Sequence, residues 1–185
     1  DRLDQEMQRP VSVLVCGEFK RGKSTFINAL IGRRLCPTDT DICTSVSSII
    51  SYGETPSVTR YYGDLNNIQS EEISFDELED YTVGTADEID NTIYVDIRPP
   101  LESLKKGLTV IDTPGVGGLD PRHAMLTNFF LPRAEVGVFM TDCNEPLTEA
   151  ELDFFKDRVK RYCRRSVVVI NKIDLKGEGD VADIT

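Results

Sequence analysis

A chain of 185 residues with 39% hydrophobic and 29% charged side chains can bury one substantial core and is short for two, so a single domain is expected. Its formal net charge of −11 excludes a general nucleic-acid binder, which needs a basic footprint to neutralise phosphates. No apolar run approaches the ~20 residues of a membrane span, and five scattered cysteines (Cys16, Cys36, Cys43, Cys143, Cys163) with neither CxxC nor Cys/His spacing suggest a reducing cytosol.

The amino terminus, DRLDQEMQRP, is too polar for a secretory signal. Residues 1–10 read as a lead-in and 11–185 as the domain. VSVLVC, residues 11–16, is short and β-branched, the pattern of a strand buried on both faces. STFINALIG from Ser24 reads as a helix that stops at Gly32. Over residues 46–62, SVSSIISYG and SVTRYYG flank the turn-forming ETP, which predicts an antiparallel pair at one sheet edge. Between Glu71 and Asp90 lie nine acidic residues and no Lys or Arg, expected as a solvated surface insertion; SFDE within it can cap a short helix that turns Phe75, Leu78 and Tyr81 inward.

Further strands are expected at 92–97 (TIYVDI), 108–111 (LTVI), 136–140 (VGVFM) and 167–170 (VVVI). TEAE at Thr148 is a capping box, and the helix behind it runs to about Arg164 with Leu152, Phe155, Val159 and Tyr162 facing inward. The cations between Lys156 and Arg165 suit the negative end of that helix dipole and do not require a lipid surface. The sum is an α/β fold: a mostly parallel sheet with one antiparallel edge pair and helices on both faces.

The motifs sit at strand ends. Gly17, Gly22, Lys23 and Ser24 fit G-x-x-x-x-G-K-[ST] between a strand and a helix. In such a loop, here Gly17, Glu18, Phe19, Lys20, Arg21, Gly22, Lys23 and Ser24 with Thr25 behind them, backbone N–H groups form an anion nest at a helix N-terminus. Lys23 would reach the β- and γ-phosphates and Ser24 would bind Mg²⁺. DTPG follows LTVI: Asp112 can hold the Mg²⁺ water shell, and the Gly115 N–H can meet a γ-phosphate where a side chain would obstruct. NKID follows VVVI: Asn171 is counted with the nucleotide-binding residues, the Lys172 stem can cover one face of a base, and Asp174 can accept from guanine N1–H and N2–H₂. Three such elements in this order point to one nucleotide crevice.

With these residues the sequence resembles the Ras-like P-loop GTPases and, through GEFKRGKSTFINALIG, RRLCPTDTDICTSV, LKKGLTVIDTPGV and FLPRAEVGVFMTDCNEPLTEAELDFF, the dynamin superfamily, above all bacterial dynamin-like proteins. The resemblance implies the Ras-like P-loop GTPase fold, GTP/GDP and Mg²⁺ as ligands, and hydrolysis of GTP. It implies that Thr44, with Thr40 as the other candidate, closes on Mg²⁺ and positions the attacking water. It also implies a homodimer through the nucleotide-bound domain, nucleotide-driven self-assembly, and membrane remodelling through regions outside this chain, from a cytoplasmic or membrane-peripheral location.

Two departures bear on mechanism. Val116 stands where Ras-like switches commonly carry a water-positioning glutamine, and it cannot hydrogen-bond water. Lys20 occupies the loop position from which the superfamily supplies transition-state charge. The chain ends eleven residues after Asp174, where the family continues with a further helix and strand, so the carboxyl-terminal part of the domain is expected to be missing. The alternative reading is a regulatory GTPase acting on a protein or ribosomal effector. His123, the sole histidine, reads as a surface residue of the second switch region.

Overall fold

The computed structural model describes residues 9–38, 46–64, 67–83, 89, 91–116 and 121–176. Its centre is one eight-stranded sheet. The strands are β1 (Val11–Gly17), β2 (Ser47–Ile50), β3 (Ser57–Asp64), β4 (Asn67–Ile73), β5 (Thr92–Arg98), β6 (Leu108–Asp112), β7 (Val136–Asp142) and β8 (Arg165–Asn171). Their spatial order is β4-β3-β5-β2-β6-β1-β7-β8. The half that carries the motifs is parallel, β6 and β7 flanking β1 and β8 lying outside β7. The helices are α1 (Lys23–Ile31), α2 (Leu78–Thr82), α3 (Pro121–Phe130), α4 (Glu149–Phe154) and α5 (Lys160–Tyr162), with a π-helical turn, Phe155–Val159, joining the last two.

Alternation along the central strands fills two separate cores. Val15, Val110, Val138 and Met140 face the side that α1 covers with Ile27 and Ile31. Leu14, Cys16, Ile111 and Phe139 face the other, packing on Phe130, Val159 and Cys163. A strand buried on both faces must be apolar at successive positions, which is why β1 and β7 read so plainly in the sequence. Sealing both faces brings the parallel strands' carboxyl ends to one rim, where the motif loops emerge.

The other half corrects two expectations. Residues 46–50 and 57–62 do not pair with each other: β5 lies between β2 and β3, parallel to β2 and antiparallel to β3. Pairing with a strand more than 30 residues on buries Ile50, Val58, Val95 and Ile97 in one core, which a local hairpin would not do. The antiparallel edge pair is instead β3 with β4. Part of the acidic segment is thus a strand, six of whose seven residues are exposed.

Beyond it, Ser74 and Glu77 form the anticipated reciprocal cap, with the Ser74 N–H and hydroxyl donating to the Glu77 carboxylate at 2.9 and 2.8 Å. Those two bonds draw the Glu77 pKa below its usual value. Leu78 is buried, but Phe75 is exposed and does not face inward. Tyr81 is half-buried, one side of a sandwich in which the Arg60 guanidinium lies 4.2 Å from its ring and 4.6 Å from that of Tyr62.

The Thr148 capping box is present with both of its hydrogen bonds. Past it, the π turn alters the face the helix presents. Phe155, Val159 and Cys163, each four apart, follow the wider turn inward, and Tyr162, expected inside, is exposed. The four described cysteines, Cys16, Cys36, Cys143 and Cys163, are buried free thiols.

Candidate nucleotide site

β1 delivers the chain at Gly17 to a loop that turns back into α1. Lys20 takes a left-handed conformation, φ 59°, and Gly22, φ 84°, is the N-cap of the helix. A Cβ at Gly22 would lie 2.4 Å from Asn171 Nδ2, so glycine serves both the backbone and the space. That Asn171 amide donates to the Arg21 carbonyl at 2.9 Å, which is how the NKID loop closes on the phosphate loop. Lys23 is buried and its ammonium arches over the turn, donating to the Gly17 and Glu18 carbonyls at 3.1 and 2.9 Å. Phe19 and Lys20 are exposed, the Lys20 ammonium resting 5.4 Å from the Phe19 ring centre. Thr25 is exposed on the first turn of α1.

β6 runs beside β1 and brings DTPG against the loop. The Val116 N–H donates to the Gly17 carbonyl at 3.1 Å, and Gly115 approaches so closely that a Cβ there would lie 2.8 Å from both N and Cα of Phe19. Thr113 pins the segment by donating to the Val15 carbonyl. Asp112 is fully buried, and the Ser24 hydroxyl donates to its Oδ2 at 2.9 Å. Its Oδ1 is buried without a hydrogen-bond partner of ordinary geometry, while the Cys36 thiol and the Thr113 N–H lie close enough to the carboxylate to lower its pKa. Burial raises the Asp112 pKa, opposed by the Lys23 charge and the Ser24 hydroxyl, and burial likewise holds the Cys36 thiol well above its usual range. A carboxylate oxygen left over beside a hydroxyl suits a hard divalent cation with its water shell.

β8 carries the base-side loop. Lys172 has φ 61°, and its ammonium meets Asp142 Oδ2, at the end of β7, at 2.9 Å. That hydrogen bond is the main cause of an Asp142 pKa lowered to about 2. The Lys172 carbonyl accepts from the Cys143 thiol and the Asn171 carbonyl from the Cys143 N–H. Asp174 stands exposed on the following 3₁₀ turn, Ile173–Leu175, free to accept from a ligand edge.

The three motifs therefore meet on one rim. Thr44 and Thr40 lie outside the described residues, and so does the side chain of His123. Three residues that anchor the site escaped the motif reading. Asn28 accepts from the N–H groups of Leu35 and Cys36 and donates to the Cys36 carbonyl, ordering the chain after α1. Asp142 and Glu151 face Arg21 and Lys172. TEAE had marked Glu151 as a helix cap, but nothing local in the sequence shows that its other oxygen meets the phosphate loop.

A model of the Dynamin family matches residues 13–173. The chain belongs to that family. Those residues are its GTPase domain, built on the P-loop GTPase fold. The bacterial dynamin-like protein of Nostoc punctiforme is 29% identical over 80% of this chain, which spans 22% of that relative's length. The fold also matches a solved bacterial dynamin of an oligomerised pair described as sensing and tethering membranes, with a TM-score of 0.78 and 17% identity over 99% of this chain and 31% of that one. A more distant fold match, TM-score 0.56 and 17% identity over 95% of this chain and 45% of the other, is Era in complex with MgGDPNP and a segment of 16S ribosomal RNA. The dynamin domain is thus a minor part of the length of the relatives it matches.

Proposed function

We propose that the protein binds GTP with Mg²⁺ in this crevice, hydrolyses it, and uses the cycle to drive self-assembly and membrane remodelling from the cytoplasmic side. The reading is carried by one observation: at the mouth of the phosphate loop Ser24 meets a buried Asp112 that keeps one oxygen unspent. Ser24 and, through water, Asp112 would hold Mg²⁺, which supplies charge neutralisation across the β- and γ-phosphates. The loop's backbone N–H groups and Lys23 bind the phosphates, and Gly115 brings an N–H to the γ end without a side chain in the way. Asp174 reads guanine, Lys172 lies along the base, and Thr44 positions water in place of the glutamine that Val116 replaces. Lys20, exposed on the outer turn, adds a cation as charge develops. Within this sequence, residues 11–185 are assigned to that domain and 1–10 to the segment leading into it.

The test is the rate of phosphate release per molecule of the intact protein. Self-assembly predicts a rate that climbs with protein concentration and again on liposomes. A flat rate that rises only with ribosomes or a separate protein would replace this reading with that of a regulatory GTPase.

A further inference from the structure

Arg21 belongs to the phosphate loop, yet its side chain turns away from the nest. Its Nε donates to Glu151 Oε1 at 2.9 Å, one terminal nitrogen donates to Glu18 Oε2 at 2.7 Å, and the other lies 4.0 Å from Asp142 Oδ2. Three carboxylates from three segments thus surround one guanidinium, whose planar fork can meet several partners at once where an ammonium could not. Glu151 is 1% exposed and fully committed: Oε2 accepts from the Thr141 hydroxyl at 2.8 Å and the Thr148 N–H at 3.1 Å, and Oε1 takes Arg21. Asp142, the next carboxylate, holds Lys172. The chain Glu151–Arg21–Asp142–Lys172 links the first turn of α4 to the phosphate loop and to the base-side loop. The backbone of Arg21 is held as well, by Asn171.

We infer that the Arg21–Glu151 pair is a latch that couples the phosphate loop to the guanine-side loop through α4, making both residues positioning residues for nucleotide retention. The inference rests on the GTP reading above. Loops joined by one partly buried charged network share their fluctuations, so a nucleotide gripped at one end slows opening at the other. A plain structural ion pair would contribute only to folding, and the two roles separate when both charges are removed together. A buried pair replaced by neutral groups of similar size leaves stability nearly unchanged, whereas removing one partner strands a buried charge.

The experiment uses the intact protein, Glu151→Gln, and the double variant Arg21→Met/Glu151→Gln, in which the Gln oxygen can still accept from Thr148 and Thr141. Fluorescent GDP dissociation and melting temperature are measured for each, with amide hydrogen exchange of the nucleotide-free protein. The latch predicts that the double variant melts within about 3 °C of the parent while losing GDP about tenfold faster. It also predicts exchange at least about threefold faster in both residues 18–22 and 171–176. Retention that recovers together with melting temperature, or exchange that rises in one loop only, overturns it. If the parent fails to hold GDP, the functional reading falls, and the exchange data still decide whether the loops are joined.

Discussion

The phosphate end and the base end of the crevice are built on opposite principles. Gly17, Lys23, Asp112 and Gly115 are buried, Lys23 donates to the Gly17 carbonyl, and a Cβ at either glycine would collide with neighbouring backbone. Asp174 and its neighbours Ile173 and Leu175 are exposed on a turn after β8, which has no partner beyond it among the described residues. The first end is preorganised by packing and costs little to order when a ligand arrives. The second relies on a few side chains held by charge, so selectivity for the base rests on contacts that are easier to disturb than those for the phosphates.

The largest effect should come from the phosphate end. Lys23→Ala removes the buried cation facing the nest, and GTP affinity should fall by about 100-fold or more in calorimetric titration. A loss below about fivefold would mean that packing and N–H groups hold the phosphates without it. At the base end, Asp174→Asn should cost GTP about 1 to 3 kcal/mol and favour xanthine nucleotides. An unchanged GTP/XTP ratio would remove Asp174 from base recognition.

Lys20→Ala probes the exposed fringe of the buried end. Its stimulated kcat should drop by at least about tenfold while GDP affinity changes by less than about threefold, a transition-state effect rather than uniform binding. The smallest effect concerns the charge that holds the base loop. Because the Asp142 pKa is lowered from 3.8 to about 2, its pairing with Lys172 adds stability that is full above about pH 4 and is lost as pH falls through about 2. Asp142→Asn should therefore melt a few degrees lower, roughly 2 to 4 °C, by a gap that stays constant between pH 7 and pH 5. A gap that narrows within that range would show that another group carries the titration.

The same contrast explains what the sequence reveals. The loop around Lys23, the DTPG turn and the NKID turn are legible because each compresses its chemistry into a few contiguous residues after an apolar strand. The parallel half of the sheet is legible for a related reason, since strands buried on both faces cannot hide their composition. β4 is not: with nearly every position exposed it has no alternation to betray it. The misplaced pairing of residues 46–62 and the unseen Arg21–Glu151 contact share a cause. The first is decided by β5, inserted from a distant part of the chain, and the second joins residues 130 apart. The π turn, which moves Tyr162 out and Cys163 in, departs from the α-helical period on which the inward face was drawn.

The two rims of the sheet differ in one more respect. β4 forms one side with six of its seven residues exposed, Glu71 tied back to Arg60 at 2.6 Å and Glu72 open to solvent. β8 is the outermost strand on the other side among the described residues, with Val167 52% exposed. A charged, solvated outer strand works against pairing with another sheet on that side, so the fold guards its β4 flank against the strand addition that an apolar edge would invite.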